Sequence, residues 1–116
     1  ERDLSGEWLD RVTALPGAHL RGVHLRLPGY GEGGPTLEIF TYDSMPERPA
    51  AKANEPGFAH LAFAVDDVEA ALAEVIAAGG SSLGEVATSR VEGAGMLRVV
   101  YARDPEGNII ELQRWS

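Results

Sequence analysis

The chain has 116 residues, of which 44% are hydrophobic and 24% charged. This length is enough for one compact domain, and this composition is not that of a disordered polypeptide. Its net charge of −8 argues against binding to nucleic acid or to an anionic membrane surface, both of which require basic residues. The absence of cysteine excludes disulfides, zinc ribbons and thiol catalysis. No apolar run reaches the ~20 residues that span a bilayer, and no signal peptide opens the chain. We therefore expect a cytoplasmic protein.

A short helix is predicted near the start of the chain. In "SGEWLDRVTALPG" (5–17), Ser5 is a typical N-cap and Pro16-Gly17 ends the helix. The apolar residues between them recur at helical spacing: Trp8, Leu9, Val12 and Leu15. The sequence opens at Glu1 without methionine, and no strand is predicted before this helix. We therefore expect it to be part of a longer chain.

Two strands are predicted next, over residues 19–27 and 36–43, because apolar residues alternate in both. In the second, "TLEIFTYD", we expect Leu37 and Ile39 to pack against the interior. Glu38 then lies on the opposite, open face.

The connections around these strands carry no site of their own. "GYGEGG" (29–34) matches the G-x-G-x-x-G pattern, but Pro35 and a strand follow it instead of the helix that a dinucleotide site requires. We interpret it as a hairpin loop. Residues 44–57 contain three prolines and no periodicity, which predicts a linker or surface loop.

The second half of the chain has the sharper pattern. Residues 58–65 predict a strand, and "DDVEAALAEVIAAGG" predicts a helix that Asp66 caps, with Glu69 completing a capping box and Gly79 ending it. Its apolar stripe is Val68, Ala71, Leu72, Val75 and Ile76.

Three further strands complete this half, at about 82–86, 96–103 and 108–113. Glycines predict a loop at 87–95, and "DPEGN" predicts a tight turn before the last strand. The order is β-α-β-β-β, and the first half of the chain repeats only its end.

The strand over residues 58–65 directs His60 away from the helix. Side chains alternate along a strand, so His60 shares a face with Ala62 and Ala64. The amphipathic helix should cover the larger apolar side chains on the other face: Leu61, Phe63 and Val65. His60 is thereby predicted to lie on the open face.

The same argument places Glu111 on the open face of the last strand and Glu38 on that of residues 36–43. One imidazole and two carboxylates suit a divalent ion such as Ni, Co, Zn, Mn or Fe. The alternative is that the two carboxylates are solvated, since open sheet faces accept charges.

Two segments, "HLAFAVDDVEAALAEVIAAGG" (60–80) and "RDPEGNIIELQ" (103–113), resemble the vicinal oxygen chelate superfamily. This superfamily includes glyoxalase I, methylmalonyl-CoA epimerase, extradiol dioxygenases, fosfomycin-resistance enzymes and bleomycin-binding proteins. The resemblance is good over 58–116 and moderate over 19–43. It implies an α+β fold in which paired βαβββ modules form a curved mixed-sheet cup.

By this resemblance, residues 1–43 form a partial first module, 44–57 a linker and 58–116 a complete second module. His60, Glu111 and Glu38 correspond to metal ligands of the family. The fourth ligand belongs to a strand expected before Glu1.

The resemblance implies a lyase or isomerase that stabilises an enolate or enediolate of a small-molecule substrate on a divalent metal. Glu38 or Glu111 is expected to double as the base. One alternative is an Fe(II) extradiol dioxygenase, which requires two histidines and one carboxylate. The other is a metal-free drug-binding protein of the bleomycin-resistance type, whose pocket would be lined with aromatic residues.

Two further residues are candidates for substrate binding. His24 would contact substrate if the face that it shares with Arg26 lines the cup, and Arg98 could attract an anionic substrate. A half-cup would leave sheet edges exposed, so a homodimer is expected.

Overall fold

The computed structural model describes all 116 residues, and the chain divides into two compact units, Glu1–Glu47 and Arg48–Ser116. Each unit has its own sheet and its own helix. The predicted α+β class is confirmed. Neither helix is long and apolar enough to cross a membrane.

The first unit is a three-stranded antiparallel sheet with one helix. Its elements are β1 (Arg2–Ser5), α1 (Glu7–Thr13), β2 (His19–Arg26) and β3 (Thr36–Tyr42), in the sheet order β1-β2-β3. Strand β1 was not predicted, because a four-residue segment with one large apolar side chain has no detectable period. No strand of this unit pairs with the other edge of β3.

The predicted cap of α1 is wrong. Ser5 belongs to β1, and Gly6 is the N-cap, with φ of 101° and no side-chain hydrogen bond. Such a positive φ is available to glycine and strained for serine. The helix ends at Thr13, and its C-cap, Ala14, is left-handed at φ 56°.

The interior of the first unit lies between α1 and one face of the sheet. Its buried residues are Leu9, Ala18 and Leu20, and Leu4, Phe40 and Tyr42 pack against them. The expectation that Leu37 and Ile39 pack is therefore wrong, since Ile39 is 52% exposed. Both faces of "TLEIFTYD" are apolar, and α1 covers the face with the aromatic rings. The prediction that Glu38 lies on the open face is also wrong, because Glu38 shares the face of Phe40 and Tyr42, beyond the buried cluster.

The second unit is a βαβββ module whose second strand is interrupted. Its elements are β4 (Leu61–Ala64), α2 (Val68–Ala77), β5 (Ser81–Ser82), β6 (Ala87–Val91), β7 (Gly95–Arg103) and β8 (Ile109–Trp115). Strands β4 and β8 are parallel, and every other pair is antiparallel. Strands β5 and β6 both pair with β7, at opposite ends. Residues 87–91, predicted as part of a loop, are therefore a strand.

Helix α2 is capped by Asp67 instead of the predicted Asp66. The Asp67 carboxylate accepts a hydrogen bond from the Ala70 backbone N–H at 2.9 Å. The helix packs on β7 and β8 over a core of Val68, Val100 and Leu112.

Strand β4 lies at the sheet edge, and the helix does not cover it. Leu61 and Phe63 are 52% and 36% exposed, and only Val65 packs against the core as predicted. The predicted strand also begins later than expected, since Phe58, which is fully exposed, lies outside it.

Candidate functional site

The open face of the second unit brings His60 and Glu111 together. The strand register places Ala62, Glu111 and Tyr101 side by side across β4, β8 and β7. His60 directly precedes β4, and its Nε2 lies 2.9 Å from Oε2 of Glu111. Two residues that are 51 positions apart in sequence therefore meet on the face to which alternation directed them.

The Glu111 side chain is largely buried, which makes its contact with His60 significant. The side chain of Glu111 is 14% exposed and that of His60 is 28% exposed. A carboxylate so far removed from water requires a hydrogen-bond donor or a cation. His60 is the donor, and the Tyr101 ring packs on it, with ring centroids 4.7 Å apart and a 45° tilt.

The donor chemistry of this pair fits a divalent metal ion. An imidazole nitrogen and a carboxylate oxygen are ligands that Zn, Ni, Co, Mn and Fe accept. Two such atoms, each about 2.1 Å from one ion, lie about 3 Å apart in octahedral coordination and about 3.4 Å apart in tetrahedral coordination. The observed separation of 2.9 Å matches the octahedral value. Binding would displace the Nε2 proton, because a metal-bound nitrogen must be unprotonated.

A second histidine–glutamate pair lies in the first unit. His24 and Glu38 are opposite each other on β2 and β3, with Nδ1 3.5 Å from Oε1. Arg2 approaches Nδ1 at 3.2 Å, and Thr36 Oγ1 lies 2.7 Å from Nε2. Because arginine can only donate, Nδ1 is the acceptor here and Nε2–H donates to Thr36.

The five predicted site residues thus form two pairs and one separate residue. His60 pairs with Glu111 and His24 with Glu38, but no group of three or more histidine, aspartate or glutamate side chains is arranged to hold a metal. That Glu38 joins His60 and Glu111 remains a prediction of the resemblance.

The prediction that Arg98 lies on the open face is wrong. It lies on the same face of β7 as the buried Val100, which is the face that α2 covers. Its guanidinium forms an ion pair with Glu69 of α2 and donates to Thr88 Oγ1 at 2.7 Å. The hydrogen bond from Arg98 lowers the pKa of the Glu69 carboxyl below its ordinary value. Arg98 therefore joins the helix to the sheet and does not reach the open face.

The first unit also holds a charged cluster that was not predicted. His19 lies between two carboxylates, with Nε2 2.8 Å from Asp3 and Nδ1 2.6 Å from Asp43. Arg21 also donates to Asp43, at 2.9 Å. Ionised carboxylates only accept hydrogen bonds, so two of them favour an imidazolium. The hydrogen bonds that His19 donates to Asp3 and Asp43 raise the pKa of His19, and the bond to Asp43 lowers the pKa of that carboxyl.

This cluster predicts a pH-dependent stability for the first unit. A raised His19 pKa gives stabilisation that is complete below the ordinary value of 6.5 and is lost as pH rises through the folded-state pKa. The lowered Asp43 pKa gives stabilisation that is present above 3.8 and is lost as pH falls. Relative to the wild type, we expect His19→Gln to lose most stability between pH 3.8 and pH 6.5 and least at pH 9. Urea denaturation would measure the free energy of unfolding at each pH. A difference between variant and wild type that does not change with pH would contradict the cluster's role.

The open face of the second unit also carries residues that were not predicted as site residues. Gln113 and Trp115 follow Glu111 at alternate positions of β8, opposite Val99 and Leu97 of β7. The indole Nε1–H of Trp115 donates to Oε1 of Gln113 at 2.8 Å. Trp115 is the penultimate residue of the sequence and lies beyond the recognised motif, so no pattern marked it.

Comparison with known proteins agrees with this fold. The sequence profile of the Glyoxalase/Bleomycin resistance protein/Dioxygenase superfamily matches residues 16–112. The chain belongs to this superfamily, as its resemblance to vicinal oxygen chelate proteins indicated.

Two individual proteins are similar to this chain in sequence or in structure. The uncharacterized protein YaeR of Escherichia coli strain K12 is 36% identical over 76 residues, which are 66% of this chain and 55% of that protein. The chain thus spans about half the length of this curated relative. The crystal structure of a glyoxalase family protein from Bacillus cereus superposes with a TM-score of 0.76 and 25% identity, covering 97% of this chain and 73% of that one.

Proposed function

We propose that the protein is a metal-dependent lyase or isomerase acting on a small oxygen-bearing substrate, with its reacting centre on the open face of the second unit. The observation that supports this most is the 2.9 Å approach of His60 to a largely buried Glu111. Surface ion pairs rarely place a carboxylate at 14% exposure. Superfamily membership supports the same class.

Two residues of the second unit have separate roles in this proposal. Without an ion, Nε2–H of His60 donates to Oε2 of Glu111; with the proton displaced, these two atoms would share a divalent ion. Oε1 of Glu111 has no hydrogen-bond partner in the protein and is the atom that would take a proton from a substrate carbon and return it. A bound ion would supply Lewis acidity toward two adjacent oxygens of the substrate. Glu38 is proposed as a further ligand or second base.

One observation favours a second candidate, a metal-free binding protein for aromatic molecules. Trp115 is 43% exposed on the same face as Glu111, and aromatic side chains line sites of that kind. An extradiol dioxygenase has less support, since the second unit brings one histidine to this face where two are required. We also propose a homodimer, because β3 and β4 each have one unpaired edge.

Proton exchange tests the enzyme. With Co²⁺ added, we expect the wild type to exchange the C3 hydrogens of 2-oxobutanoate for solvent deuterium, followed by proton NMR. Glu111→Gln should slow this exchange by roughly 10²–10⁴-fold, because it removes the base.

Glu74→Gln is the matched control, since Glu74 is an exposed carboxylate on α2. It should exchange at the wild-type rate. Glu38→Gln tests the contribution of the first unit. If neither Glu38→Gln nor Glu111→Gln slows the exchange, the proposed mechanism is excluded.

A further inference from the structure

Strand β8 presents a graded set of side chains to the open face. Glu111, Gln113 and Trp115 occupy alternate positions, so they point to the same side. Across β7 they are opposite Tyr101, Val99 and Leu97. The face therefore changes from ionisable groups at the His60 end, through one amide, to an apolar end at Trp115.

Trp115 is not buried by its neighbours. Its residue is 43% exposed, and the indole is oriented by the 2.8 Å hydrogen bond from Nε1–H to Gln113 Oε1. A large aromatic surface that is both exposed and fixed in orientation suits the stacking of a flat ligand group. The bond also draws the indole along β8 toward Gln113 and Glu111.

The same bond determines what Gln113 can offer. An amide has one carbonyl acceptor and an NH2 donor, and the Trp115 indole occupies the carbonyl oxygen. The NH2 group remains to donate to an oxygen of a ligand. Alternate residues of a strand are about 6.6 Å apart, so this donor lies one step from Glu111 and one step from the base of Trp115.

We propose that Trp115 is a specificity-determining residue of this site and selects substrates that carry a flat apolar group on the side of the reacting oxygens toward Gln113 and Trp115. The inference rests on the proposed function for the position of those oxygens beside His60 and Glu111. It narrows the substrate class to amphipathic molecules, in which adjacent oxygens are joined by a short chain to an aromatic or similarly flat group.

Two acids that share one head group test this. Isothermal titration with Co²⁺ present should show 2-oxo-4-phenylbutanoate binding about tenfold more tightly than 2-oxobutanoate. Trp115→Ala should abolish this preference, so that the two acids bind with equal affinity. Trp115→Phe keeps a ring and should retain most of the preference. Trp8→Ala, which removes an exposed tryptophan of the first unit, should change neither affinity.

A wild type that binds the two acids equally, or a preference that survives in Trp115→Ala, would overturn the inference. Failure of the proposed function gives a different result. In that case the phenyl preference persists without Co²⁺ and in His60→Ala, and still depends on Trp115. If the function is right and this inference is wrong, both acids lose affinity equally in His60→Ala whatever residue 115 is.

Discussion

His60→Ala is expected to weaken the binding of Co²⁺ or Ni²⁺ by at least about 100-fold, which corresponds to about 2.8 kcal/mol. The substitution removes the only nitrogen donor beside Glu111, whose Oε2 lies 2.9 Å from it. A single carboxylate retains little affinity for a divalent ion of this class. Isothermal titration and elemental analysis of the dialysed protein would measure the loss.

His24→Ala is the matched control for this prediction. It removes an imidazole that also faces a glutamate, at 3.5 Å from Glu38. Its Nδ1 already accepts from Arg2, a cation that would oppose a bound metal. We expect metal affinity to be unchanged. If His24→Ala lost metal affinity and His60→Ala kept it, the metal site would lie in the first unit, which would contradict the assignment.

Gly80→Ala is expected to lower the free energy of unfolding by about 3 kcal/mol, because the surroundings of residue 80 leave no room for a methyl group. A Cβ at residue 80 would overlap the Arg103 carbonyl oxygen and lie 2.7 Å from Cγ1 and 2.9 Å from the carbonyl oxygen of Val75. Two of these three atoms are backbone. Relief therefore requires α2 to move away from β7.

Gly84→Ala provides the comparison in the same segment. A Cβ there meets nothing within 4 Å, and the residue has no positive φ. Its effect should stay within about 0.5 kcal/mol. Thermal unfolding would show a shift of roughly 12–24 °C for Gly80→Ala. Equal stability in the two variants would contradict the packing described between α2 and β7.

The second unit was largely predictable because its two periodicities agree. The helical stripe of α2 requires a covered sheet face, and the alternation in β8 then determines that Leu112 turns inward and Glu111 outward. The sequence did not reveal that α2 covers only part of the sheet. Leu61 and Phe63 are exposed because coverage depends on where the helix crosses the sheet, which periodicity does not encode.

The first unit was harder to predict for a related reason. In "TLEIFTYD" both faces are apolar, so alternation divides the residues correctly but does not say which set is covered. The covered set is the one with Phe40 and Tyr42. The prediction of the α2 cap was wrong by one residue, because Asp66 and Asp67 are adjacent and chemically alike. Only the backbone at Asp67 presents its carboxylate to Ala70 N–H.

The contact between His60 and Glu111 also has a kinetic consequence. It depends on the pairing of β4 with β8, which is the one parallel pair in the protein and joins residues about 50 positions apart. Closing so long a loop costs entropy, and long-range parallel pairing is intrinsically slow. The two donors therefore meet only when the second unit has closed. An ion that binds them selects the completed unit and raises its stability with concentration, so metal uptake during refolding would report the final closure of the sheet.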